Sequence, residues 1–150
     1  MKQAKDIMTT NPACCTPENN VEDAARMMVE HDCGEIPVVE SKDNPKPIGI
    51  ITDRDITCRV VATGKNPGQT RVRDAMSSPP VTIKPETSIE DCCRVLEENQ
   101  IRRVPVVDQS GRCCGIVSQA DIAKAAPTKK AAEVLKQVSE PSEHASRVAA

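Results

Sequence analysis

The sequence predicts an α/β (α+β) fold of two β-α-β-β-α repeats packed with pseudo-two-fold symmetry. Three observations lead there. The 150-residue chain repeats itself at a shift of 68 residues. Each copy joins an amphipathic helical pattern to short β-branched runs. A copy of about 55 residues seldom holds a core alone, so the two are expected to share one.

The repeat is the first evidence to weigh. Asp6-Ile7-Met8 returns as Asp74-Ala75-Met76, Glu22-Asp23 as Glu90-Asp91, and Pro37-Val38-Val39 as Pro105-Val106-Val107. Residues 6–40 and 74–108 share 12 identities in 35 positions. Chance gives about two, at the match rate of ordinary composition. From Gly49, which matches Gly115, the shift falls to 66, so the first copy carries two extra residues in its 41–48 turn.

Within each copy the elements follow from local chemistry. Asn20 and Ser88 are N-caps, with Asp23 and Asp91 three residues on. Val21, Ala24, Ala25 and Met28 make one apolar face, repeated by Ile89, Cys92, Cys93 and Leu96. Helices are expected over 20–31 and 88–99. Strands follow at 36–39 and 104–107, each with a proline that places it at an edge or a strand start. Turns rich in Asp, Asn, Ser, Gly and Pro lead to hairpin partners at 48–51 and 114–117. Second helices are expected at 54–62 and 119–126. The expected divisions are repeat 1 over 1–63, a linker over 64–72, repeat 2 over 73–126 and a tail over 127–150. Residues 129–138 of the tail suit a short amphipathic helix, and the composition beyond Ser139 suits a frayed end.

Composition narrows the function. The chain is 38% hydrophobic and 28% charged, with a net charge of −2. No block of like charge suits nucleic acid, and the absence of Phe, Tyr and Trp removes base stacking. No run approaches the roughly 20 apolar residues that span a bilayer. No secretory signal is visible, so the expected place is cytoplasmic. The eight cysteines form no C-x-x-C. Cys92 and Cys93 lie on a helix core stripe, and small buried hydrophobe is the expected role for most of the set. Cys14, Cys15 and Cys33 with His31 are the alternative, a metal or redox cluster. With only His31 and His144 in the chain, a Cys-His nucleophile has little material, and no enzyme is expected.

The chemistry concentrates at GIITDRDI, residues 49–56, and its counterpart GIVSQADI, residues 115–122. In both, an apolar strand ends at a hydroxyl, Thr52 or Ser118, with Asp55 or Asp121 three positions later. A strand-to-helix junction offers free N–H groups to a phosphate. An ionised Asp accepts hydrogen bonds only, which suits ribose hydroxyls. An ordinary helix cap with first-turn acids explains the same residues. Arg102 and Arg103 enter the 104–107 strand as phosphate clamps or solvated edge charge. Arg54 has the same two readings.

Taken together, Asp6-Ile7-Met8, Ile36-Pro37-Val38-Val39 and Gly49 to Asp55, with their counterparts in the second copy, resemble a tandem pair of CBS (cystathionine β-synthase) domains, or Bateman module. The likeness covers about residues 5–125 and is similar to the free-standing bacterial type. It implies a regulatory module that binds AMP, ADP, ATP, NAD or S-adenosylmethionine in clefts between repeats. It implies no catalytic cofactor and no metal, a homodimer, and an effector protein the sequence does not specify. By resemblance one site uses Ile50, Thr52, Arg54 and Asp55 with Lys84, Ile89, Ile101, Arg102 and Arg103. The other uses Ile116, Ser118 and Asp121 with Thr16, Val21, Cys33, Gly34 and Ile36. Glu35 stands in the second site where a basic residue is usual, so the Asp55 site is expected to bind better.

Overall fold

A computed structural model describes residues 1–141. Helix α1 (Ala4–Ile7) and strand β1 (Thr9–Thr10) lead into α2 (Val21–His31). The hairpin β2 (Glu35–Val39) and β3 (Pro47–Thr52) runs into α3 (Asp53–Ile56), which continues as a wider helical turn over Thr57–Val61. The second copy starts with a 3-10 turn, Val72–Asp74. It then gives α4 (Ile89–Asn99), β4 (Arg103–Val107), β5 (Cys113–Ser118), α5 (Gln119–Ala125) and α6 (Thr128–Val138). The expected helices and hairpins are present, with ends that differ by a residue or so.

The helix caps form as the sequence indicated. Asn20 N–H donates to Asp23 Oδ2 at 3.1 Å, and Ser88 Oγ accepts from Asp91 N–H at 3.1 Å. The buried faces are Val21, Ala24 and Met28 on α2, and Cys92, Cys93 and Leu96 on α4. Both hairpins are antiparallel, pairing Glu35 with Thr52 and Arg103 with Ser118. Each carries a register irregularity at the same place, Val38/Val39 and Val106/Val107. The proline-bearing strands β2 and β4 lie at sheet edges.

The leading segments are where the structure departs from two self-contained copies. Strand β1 pairs with β5 of the other repeat, Thr9 opposite Ile116 and Thr10 opposite Gly115. The counterpart, Ser77, bridges to Ile50 of β3. Ala4, with Ile7 and Met8 against it, belongs to the core of the second repeat. Val72 and Ala75, with Met76, belong to the core of the first. Each repeat thus lends its first turn and first strand to its neighbour. The chain then returns to its own repeat through single parallel bridges, Cys15 with Val38 and Ile83 with Val106.

That exchange explains both glycines of the repeated motif. A Cβ on Gly49 would meet Met76 Sδ at 2.8 Å and the Ser77 carbonyl at 2.9 Å. A Cβ on Gly115 would collide with Met8 Sδ and lie 3.1 Å from the Thr9 carbonyl. The obstacle in each case includes backbone of the incoming strand, which cannot rotate away. Gly49→Val and Gly115→Val are therefore each expected to cost about 1–3 kcal/mol through overpacking. Denaturant unfolding checks this, and an unchanged midpoint in both variants would contradict the exchange.

Candidate functional site

The hairpin register sets the site. Glu35 opposite Thr52, and Arg103 opposite Ser118, put an ionisable strand start beside a hydroxyl-bearing strand end in each repeat. The next residues are fixed by backbone bonds: Asp53 N–H donates to Gly34 O at 2.9 Å, and Gln119 N–H to Arg102 O at 2.8 Å.

Both hydroxyls act as caps. Thr52 Oγ1 accepts from Asp55 N–H at 3.0 Å, and Thr52 N–H donates to Asp55 Oδ2 at 3.1 Å. Ser118 Oγ accepts from Asp121 N–H at 3.2 Å, and Ser118 N–H donates to Asp121 Oδ2 at 2.8 Å. Beyond the cap the two aspartates differ. Ser77 Oγ donates to Asp55 Oδ1 at 3.3 Å, and Arg59 Nη1 stands 3.8 Å from the same oxygen. Arg59 also donates to the Ala75 and Met76 carbonyls at 3.0 and 2.9 Å. At the matching positions the second repeat has Thr9 for Ser77 and Ala125 for Arg59. Among the described residues Asp121 bonds through Oδ2 only, to Ser118.

Two cavities lie between the repeats. The larger, about 690 Å³, brings together Thr52, Arg54, Ile101, Arg102, Arg103, Ser118 and Gly34 of the expected site residues. It adds Glu35, Asp53, Gln100, Gln119, Ala120 and residues 138–141. Among the described residues Gln119 Oε1 is buried there without a protein partner. The smaller, about 300 Å³, brings together Ile116, Ser118, Asp121, Cys33 and Ile36. It adds Thr9, Asn11, Pro12, Ala13, His31, Asp32, Glu35, Pro37 and Arg103.

Ile50, Asp55, Lys84, Ile89, Thr16 and Val21 line neither cavity. Val21 is fully buried in the first core, with no surface to offer a ligand. Thr16 is turned into its own loop, where its N–H and hydroxyl donate to Asn19 Oδ1 at 2.8 and 3.2 Å. The 9–13 wall escapes local reading because it reaches the Asp121 side only through the exchanged strand.

Cys14, Cys15 and Cys33 do not converge with His31. Cys15, Cys92 and Cys93 are fully buried, and burial pushes the Cys15 thiol up to about 12 and Cys92 to about 11. His31 and Cys33 line the smaller cavity while Cys15 points into the first core, so the alternative cluster with Cys14 does not form. Among the described residues no three His, Cys, Asp or Glu side chains are placed to hold a metal.

Glu35 borders both cavities. Burial raises its carboxyl to about 7; the nearby Arg103 opposes the rise, and Asp55 and Asp53 add to it. The folded state therefore holds this proton more tightly than the unfolded chain. The resulting stability is fully present below about pH 4.5 and is lost as pH rises through about 7. Glu35→Gln is expected to be more stable than the parent at about pH 8, with the gap narrowing toward about pH 5. Thermal unfolding across that range checks it, and a constant gap would refute the buried-acid reading.

The comparisons with known proteins agree with this architecture. The CBS domain model matches twice, at residues 4–61 and 72–128. The CBS domain-containing protein YhcV of Bacillus subtilis is 42% identical over 82% of this chain and 84% of its own. An uncharacterized protein of Methanopyrus kandleri, MK0525, is 38% identical over 82% of this chain, which spans 59% of that relative's length. The crystal structure of Hypoxic Response Protein I with two coordinated zinc ions has a TM-score of 0.76 at 33% identity, covering 84% of this chain and all of that one. CBSX2 in complex with AMP has a TM-score of 0.72 at 28% identity, covering 87% and 99%. No described helix is long and apolar enough to cross a membrane. Two matched repeats, their reciprocal strand exchange and these relatives make the chain a member of the CBS domain family, a paired regulatory module.

Proposed function

We propose that the chain senses an adenosine-containing ligand bound between its repeats, and that the Asp121 side is the principal site. The observation that carries this is the difference between the two aspartates. Asp55 already meets Ser77 and Arg59. Asp121 borders an open cavity with an oxygen to spare for ribose hydroxyls. This reverses the expectation that Glu35 makes the Asp55 side the better one. Thr9 and Ser118 supply hydroxyls, Arg103 a phosphate partner, and Ile36, Ile116 and Pro37 an apolar surface for a base. The AMP complex of CBSX2 supports the ligand class.

Charge selects within that class. Asp32, Glu35 and Asp121 face one Arg103 and His31. Each added phosphate brings repulsion, so AMP is favoured over ATP, with NAD and S-adenosylmethionine as comparison ligands. The cavity walls come from both repeats, so a bound ligand biases their relative packing in proportion to its preference for one arrangement. An effector protein would read that arrangement. A second copy of the chain is the proposed constitutive partner, with Val29 and Val61 exposed at 84% and 63% as candidate contacts.

Calorimetric titration with AMP, ATP, NAD and S-adenosylmethionine tests the assignment. Asp121→Ala is expected to weaken AMP binding by about 10- to 100-fold, the cost of a charged hydrogen-bond acceptor. Asp55→Ala is expected to change it little. Binding abolished by Asp55→Ala and untouched by Asp121→Ala would move the site to the other repeat.

A further inference from the structure

Cys14 and Cys113 are brought together from opposite repeats, and neither belongs to the nucleotide cleft. The exchanged strand is responsible. Thr10 pairs with Gly115, so the antiparallel chain running on from Thr10 passes alongside the start of β5. At each end of the contact, adjacent cysteines divide by strand alternation. Cys15 enters the first core and Cys114 packs against the second. Cys14 and Cys113 are left as neighbouring thiols within hydrogen-bonding reach, both half-buried and both free.

The surroundings hold the pair in place. Cys14 Sγ lies 3.4 Å from the Pro12 carbonyl, and Cys113 Sγ 3.6 Å from the Gly115 carbonyl. Cys113 N–H donates to Pro45 O at 2.8 Å, tying the start of β5 to the hairpin turn of the first repeat. The hydrogen bond from the Cys113 thiol lowers the Cys14 thiol below its usual range, and the same bond raises Cys113. One sulfur is thus the better nucleophile and the other the better proton holder.

We propose that Cys14 and Cys113 form a reversible disulfide that clips the two repeats together, making the module a thiol-responsive one independently of its nucleotide. The oxidant is a low-molecular-weight disulfide. The Cys14 thiolate attacks one of its sulfurs, forming a mixed disulfide and releasing the first small thiol. Cys113 loses its proton to solvent and attacks the Cys14 sulfur, releasing the second thiol and closing the bond. Two protein thiols are oxidised and one small disulfide is reduced to two thiols. The bond closes a loop over residues 14–113, two-thirds of the 150-residue chain, which constrains the unfolded state and raises the melting temperature.

Oxidised glutathione on the full chain is the test, read by intact mass, thiol count and peptide mapping. The expected result is loss of two thiols, a cross-linked pair of peptides containing Cys14 and Cys113, and a higher melting temperature that dithiothreitol reverses. Cys15 shares a tryptic peptide with Cys14, so Cys15→Ala should keep the bond. Cys114→Ser should keep it as well. Cys113→Ser should stop at glutathione on Cys14, and Cys14→Ser should give no cross-link. Wild-type protein whose two thiols stay reduced, carry only separate glutathiones or pair with other cysteines would overturn the proposal, whatever the variants do.

Discussion

The close approach of each leading strand to the other repeat's glycine is the constraint on which the structure depends. Met76-Ser77 lies against Gly49, and Met8-Thr9 against Gly115. With a side chain at either position the strand could not enter, and each core would lack its neighbour's contribution. Ala4 and Val72 are fully buried in cores that belong mostly to the other copy. Two small cores of this kind are interdependent rather than merely adjacent. The same exchange builds the 9–13 wall of the smaller cavity and brings Cys14 near Cys113.

Much of the fold was legible in the sequence because its signals are local. Asn20 and Ser88 announce their helices by side-chain chemistry, and Pro37 and Pro105 sit in edge strands for want of an N–H. The repeated Gly49 and Gly115 marked second strands but not the reason for glycine. That reason is a contact with residues far away in sequence. The exchange itself has no local signature, since a two-residue strand such as β1 carries no periodicity to read.

The site was legible in kind and less so in detail. The hydroxyl and Asp pairs were found, and the cavities do collect Thr52, Ser118, Asp121 and the Arg102-Arg103 pair. The sequence ranked Asp55 above Asp121 on the strength of Glu35, and the proposed ranking is the reverse. That proposed ranking rests on Arg59, four residues beyond Asp55 on the same helical stretch, and on Ser77, which arrives only through the exchange. Glu35 was seen as a local repulsion on one side. In the fold it borders both cavities, and burial raises its carboxyl to about 7.

Crystals grown with AMP offer the most direct view of the central claim. The account predicts density for the ribose within hydrogen-bond distance of Asp121, with the base against Ile36 and Ile116 and the phosphate toward Arg103. Ribose held by Asp55, with Arg59 and Ser77 displaced, would contradict it.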